Sequence, residues 1–195
     1  VRQQAGKRAF FTMTDAAKQT HAPQSGVAAH TAQVEALPAF SDISGHANEQ
    51  AIKTLAAYGI VNGMTKTTYA PDASTTRAQL WTILARQDGA DLTGGNTWYE
   101  KAQNWAKDKG VSDGANPNAA INRAQMVTML WRAVGQPTAG GTANFTDVPT
   151  DSYYAQAVAW AVENGITTGI GNGKFDPNAT CTRAQIAAFL ARSMK

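Results

Sequence analysis

Apolar side chains recur at i, i+3 and i+4 three times along the chain: Leu80/Ile83/Leu84, Met126/Met129/Leu130 and Ile186/Phe189/Leu190. That spacing lines one face of an α-helix. Each stripe opens on the same polar lead: Thr76-Arg77-Ala78-Gln79, Asn122-Arg123-Ala124-Gln125 and Thr182-Arg183-Ala184-Gln185. Each also ends on an arginine nine positions after the first, namely Arg86, Arg132 and Arg192. A second helical segment precedes each stripe, over 51–58, 102–109 and 157–164, and each closes on a glycine, Gly59, Gly110 and Gly165. A glycine just past a helix suits a left-handed cap. Between glycine and arginine lie turn residues such as Tyr69-Ala70-Pro71-Asp72 and Phe175-Asp176-Pro177-Asn178.

The chain therefore reads as three helix-loop-helix repeats with little or no sheet, and the repeat governs what every motif means. The first and third open on Phe40-Ser41-Asp42-Ile43 and Phe145-Thr146-Asp147-Val148, whereas the second starts near Trp98-Tyr99. From glycine to arginine the outer repeats run eighteen positions and the middle one thirteen. Gly-rich or polar connectors at 88–95 and 135–141 set the units at 40–91, 92–141 and 142–195. Residues 1–39 read as a linker or the end of an upstream region, with a short helix conceivable over 28–37 before Pro38. A chain that opens at Val1 with no leader is expected of a fragment or a mature form.

Composition narrows the function. The formal charge of +3 divides unevenly, four Lys/Arg against two Asp/Glu in residues 1–39 and thirteen against twelve beyond. The repeats are nearly neutral and carry no basic stripe, so nucleic acid is not expected as a partner. No run of eighteen apolar residues occurs, so no membrane insertion is expected. Cys181 stands alone and His21, His30 and His46 are scattered, which predicts no metal site and no thiolate cage. No nucleophile is placed beside a base, no catalytic residue is assigned, and no cofactor is expected.

Thr76 with Gln79, Asn122 with Gln125 and Thr182 with Gln185 are capping-box pairs, which start a helix whatever else they do. The arginines need a further reason, since the first helical turn disfavours a cation. Either an aspartate such as Asp42 or Asp147 pairs with the arginine across a repeat boundary, or helix start and guanidinium together hold an anion. The closing arginines suit the helix dipole without a ligand. Trp105 and Trp160 read as packing residues, Trp81 and Trp131 as open cases, and Cys181 as a small buried residue.

These openings, Gly-Ile turns, proline loops and Thr-Arg-Ala-Gln helix starts together resemble tandem S-layer homology domains over residues 40–195. The third repeat matches most fully, through Phe145, Asp147, Tyr153, Tyr154, Trp160, Gly165, Phe175, Pro177, Thr182, Arg183 and Gln185. The resemblance implies an all-α, pseudo-threefold bundle with grooves between repeats. It implies that Arg77, Arg123 and Arg183 meet carboxylates of a cell-wall polysaccharide, typically a pyruvylated one, or of a modified peptidoglycan. Asp42 and Asp147 would then be polar partners, and Trp98, Tyr153 and Tyr154 sugar platforms. Ala47 and Asn48 stand where the first repeat should carry those aromatics, and Asn122 and the short loop set the second repeat apart. Two competent anion sites are expected, with Arg123 the weakest.

The function expected is non-covalent anchoring of a surface protein to the wall, on the outside of a bacterial cell. The competing expectation is a self-assembly module of a surface layer, whose grooves bind a protein partner such as another surface-layer protein.

Overall fold

In a computed structural model, which describes residues 38–194, the chain is all-helical. A 3-10 turn at Ser41–Ile43 precedes six α-helices: α1 Glu49–Ala57, α2 Arg77–Gln87, α3 Glu100–Asp108, α4 Arg123–Ala133, α5 Ala155–Glu163 and α6 Arg183–Ser193. Among the described residues strand pairing occurs only as isolated bridges. The 28–37 helix lies outside the described residues.

Local chemistry fixes the helix ends. Thr76, Asn122 and Thr182 each accept from the amide three residues on, at 3.3, 2.8 and 3.1 Å, while the matching glutamine accepts from the cap's own amide. Three capping boxes result. At the other end of α1, Gly59 turns left-handed at φ 69°, and Ile60 donates back to Leu55 at 2.9 Å. That closes the helix and drops Ile60 into the core.

The helices pair across the sequence units rather than within them: α2 packs on α3, α4 on α5, and α6 returns to α1. Each unit lends its first helix to one pair and its second to another. The loop inside each unit is long and travels to the centre, whereas the connector between α2 and α3 is short enough to fold them into a hairpin. The return of α6 onto α1 closes the ring.

At the centre, three backbone bonds run head to tail. Thr75 donates to Cys181 at 3.1 Å, Cys181 to Ile121 at 2.9 Å, and Ile121 to Thr75 at 2.8 Å. All three residues are wholly buried. Around this ring each helix start is completed by a neighbouring loop. Arg77 and Ala78 amides donate to Ala119 and Pro117 carbonyls, Arg123 and Ala124 to Ala179 and Pro177, and Arg183 and Ala184 to Ala73 and Pro71, all at 2.9–3.0 Å. The otherwise orphan donors of three helix N-termini are thus satisfied inside the protein. Trp81, on α2, is wholly buried in the core, and Cys181, also wholly buried, has its thiol pushed up to about 12 by burial.

Leu55 on α1 is fully buried, and Leu55→Ala is expected to cost about 2–5 kcal/mol. Since α1 is clasped by α6, native-state hydrogen exchange should quicken in α6 as well as in α1. Faster exchange confined to α1 and its own unit would contradict the cross-unit pairing.

Candidate functional site

Arg183 and Arg123 are not surface grips: they are 7% and 4% exposed. Arg183 Nε donates to Tyr69 O at 2.8 Å and its Nη2 to Asn62 O at 2.7 Å, with the guanidinium 4.4 Å from the centre of the Tyr69 ring. Arg123 Nε donates to Phe175 O at 2.7 Å, with its guanidinium 4.6 Å from the Phe175 ring centre and 5.5 Å from that of Phe189. Carbonyls and aromatic faces both favour a cation.

The aspartates do not pair with these arginines directly. Asp42 accepts from the Tyr69 and Ala70 amides at 2.8 and 2.7 Å, and Asp147 from Phe175 and Asp176, both at 2.8 Å. Arginine and aspartate thus hold opposite sides of the same peptide-bearing residue. The aspartate also steadies a left-handed residue ahead of proline, Ala70 at φ 57° or Asp176 at φ 59°. Both carboxyls lie below the ordinary 3.8. For Asp42 the Tyr69 amide is the leading cause. For Asp147 burial pulls upward, and the Phe175 and Asp176 amides outweigh it.

At Arg123 and Arg183, then, no aspartate pairs directly with the guanidinium across a repeat boundary. The first-turn amides are already bonded to carbonyls, which leaves the helix starts nothing to offer an anion. That same bonding removes the repulsion a cation would otherwise meet there.

Arg77 differs because its loop partner is the shortened one. Ala115 stands at the register of Tyr69 and Phe175, so no ring covers the guanidinium from the loop. Arg77 Nε donates to Ala115 O at 2.7 Å, and Nη2 donates to Ser112 Oγ at 3.0 Å and Asp113 Oδ1 at 2.6 Å. The same Asp113 oxygen accepts from the Ala115 amide at 2.9 Å, replacing the aspartate that the middle unit's opening lacks. Asn116, left-handed at φ 52°, tolerates that conformation unaided. The short loop and the missing Phe-x-Asp opening compensate one another. In the outer units the opening phenylalanine lies against the loop, and a side chain at Gly63 or Gly169 would strike Phe40 or Phe145 at 2.5 Å.

A groove of about 320 Å³ opens here, walled by Arg77, Asp113, Gln125, Thr128, Arg132 and Tyr153. It draws on all three units. Tyr153 is 59% exposed and stands edge-on to Tyr154, ring centres 5.0 Å apart. Its phenol is raised by partial burial and by Tyr154, while Arg132 and Arg77 pull it back. Arg77 is matched by Asp113, but among the described residues Arg132 has no carboxylate partner; it donates only to Val111 O at 3.4 Å. Arg132 was assigned to the helix dipole alone, and Asp113 was not singled out. The signal for Asp113 was its place three residues past the capping glycine, where the other units carry Asn62 and Thr168.

Trp98 is exposed and edge-on to Tyr99 in the same register ahead of α3 that Tyr153 holds ahead of α5. Tyr154 is packed against the core instead. A second groove of about 420 Å³ lies between α1 and α6, lined by Ala47, Asn48, Tyr58, Ala188 and Arg192 among others. Ala47 occupies the aromatic's register there.

The S-layer homology domain family matches residues 39–80 and 144–187. An amylopullulanase of Thermoanaerobacterium thermosulfurigenes is 32% identical over 171 residues, 77% of this chain and 9% of that protein. The S-layer protein sap of Bacillus anthracis is 30% identical over 178 residues, 80% of this chain and 21% of that one. A surface-layer 125 kDa protein of Lysinibacillus sphaericus is 40% identical over 75 residues, 38% of this chain and 6% of that one. The chain spans no more than about a fifth of these relatives.

Two outcomes are expected of the arginine and aspartate clamps. Arg183→Ala leaves the Tyr69 carbonyl unpaired in the core and gives up the bond to Asn62 O, and should cost about 3 kcal/mol in chemical denaturation. Arg77→Ala, whose partners Asp113 and Ala115 reach water, should cost less than half of that. Depressed carboxyls stabilise the fold fully above their unfolded value and lose that contribution as pH falls through the folded one. The melting temperature of the wild-type chain should therefore drop below about pH 4. In the Asp42→Asn/Asp147→Asn double variant that acid limb should be shallower.

Proposed function

Because the first and last units carry S-layer homology domain sequence, we propose that this chain is the wall-anchoring part of a larger surface protein, holding an acidic glycan in the groove of Arg77, Arg132 and Tyr153. S-layer homology domains occur in S-layer and cell-surface proteins, anchor to the cell wall and are themselves non-catalytic, and the family match with these relatives indicates a cell-surface location. The amylopullulanase is matched over 9% of its length, and we assign its named activity to its other parts.

Residues 92–141 are read as the second repeat, a degenerate copy with a shortened loop. What supports the glycan reading is one juxtaposition: an arginine with no carboxylate partner beside an exposed aromatic ring, in a groove between units. The ring offers a flat apolar face to a sugar, and the guanidinium offers a planar fork to a carboxylate. A pyruvate ketal on a wall polysaccharide carries both features within one residue. A modified peptidoglycan presents its carboxylates on a flexible peptide, away from the sugar face. Arg123 and Arg183, sunk beneath aromatic rings, serve this reading as braces that position the loops, with Asp42 and Asp147 doing the same from the other side.

Arg132→Ala and Tyr153→Ala should each weaken sedimentation of the chain with purified wall glycan by about tenfold, the worth of one charge-assisted contact. Their melting temperatures should stay close to the wild type. Removing the pyruvyl groups from the glycan with dilute acid should do the same to the wild-type chain; undiminished binding after that treatment would sink the carboxylate reading. If the wild-type chain instead sediments with glycan-free surface-layer protein, the grooves serve assembly.

A further inference from the structure

Asp113 is an unusual residue to find in a groove meant for an acid. It stands 2.6 Å from Arg77 Nη2, yet its side chain is 71% exposed. One oxygen, Oδ1, carries all of its bonds, to Arg77, Ser112 and the Ala115 amide. The other, Oδ2, takes no hydrogen bond among the described residues. The elements facing it bring Arg77, Arg132 and Tyr153, and no second carboxylate lines the groove.

The position is also specific to this unit. At the same step past the capping glycine, Asn62 meets Arg183 through its backbone carbonyl, so a side-chain carboxylate is not required to hold the arginine. Asp113 does so with a side chain that projects one oxygen outward. The Ala115 amide, first among the causes, and Arg77 hold its carboxyl below the ordinary 3.8, and burial opposes them. It stays ionised at any pH near neutrality.

On the reading that this groove takes a glycan, we infer that Asp113 is a specificity-determining residue: its outward oxygen accepts hydrogen bonds from hydroxyl groups of the same sugar whose carboxylate lies on Arg132. The charge pattern follows directly. Asp113 cancels Arg77, which leaves one net positive charge at Arg132. A ligand carboxylate is therefore drawn to the Arg132 side and repelled from the Asp113 side, and the sugar is held in one orientation across Tyr153. A second acid on the ligand would face Asp113, so the groove favours a singly charged, hydroxyl-rich sugar over a doubly charged one such as a phosphorylated sugar. A hydrogen bond to an ionised acceptor is stronger than a neutral one, and the hydroxyl pairs of a pyranose suit a carboxylate.

The test uses the whole chain and two synthetic probes, a methyl hexopyranoside bearing a 4,6-pyruvate ketal and its 2,3-di-O-methyl analogue, titrated calorimetrically. Asp113→Asn keeps an oxygen for Arg77 and Ala115 and turns the free oxygen into a donor. A melting curve confirms that the variant is folded. Wild type should prefer the free-hydroxyl probe by about tenfold. The variant should lose that preference while binding the methylated probe as well as wild type or better. Equal binding of both probes by wild type, or an unchanged preference in Asp113→Asn, would overturn the inference while leaving the groove reading intact. If wild type binds neither probe and Arg132→Ala leaves wall binding unchanged, the groove reading fails and takes this inference with it.

Discussion

The structure depends on three backbone hydrogen bonds that pass from Thr75 to Cys181 to Ile121 and back to Thr75. Each of these residues stands immediately before a helix cap, so joining them brings three helix starts together at one buried point. Three positive helix ends facing a common centre would repel one another. They do not, because each first turn is bonded to the carbonyls of the next loop around, ahead of which a left-handed residue stands before a proline. The arginine at each start reaches that same loop from outside, and in the outer units an aspartate holds it from behind. Ring, caps, arginines and aspartates form one interlock repeated three times.

Much of this was legible in the sequence. The apolar spacing gave the second helices, the glycines their left-handed turns, and the capping boxes their starts, since all are local. What the sequence does not carry is which unit meets which. The pairing of α1 with α6 joins residues more than a hundred positions apart, and no periodicity reports it. The same gap hides the arginines' carbonyl partners. An arginine at a helix start reads as a ligand grip when the carbonyls awaiting it belong to a loop from another unit. Trp81 was open for the same reason: its burial comes from neighbours distant in sequence.

The middle unit looked like the weakest copy, and in the geometry its loop leaves Arg77 the least buried of the three helix-start arginines. Losing five loop residues, the opening phenylalanine and the loop aromatic removes the ring that would cover Arg77 from the loop, and Asp113 then takes over the support that Asp42 and Asp147 give elsewhere. Where the outer loops keep their rings, Arg123 and Arg183 are sealed beneath them. The three arginine-led starts share one architecture and present different chemistry to solvent.

The return of α6 onto α1 has one more consequence. A linear array of repeats grows or shrinks by whole units, because each contacts only its neighbours and its ends are capped. This assembly has no ends in that sense. Removing one unit would leave a helix start without its loop and a loop without its helix on either side of the gap, and adding a fourth would require the ring to open. The threefold closure rests on stereochemistry at the hub, and the middle unit departs from the other two without opening it.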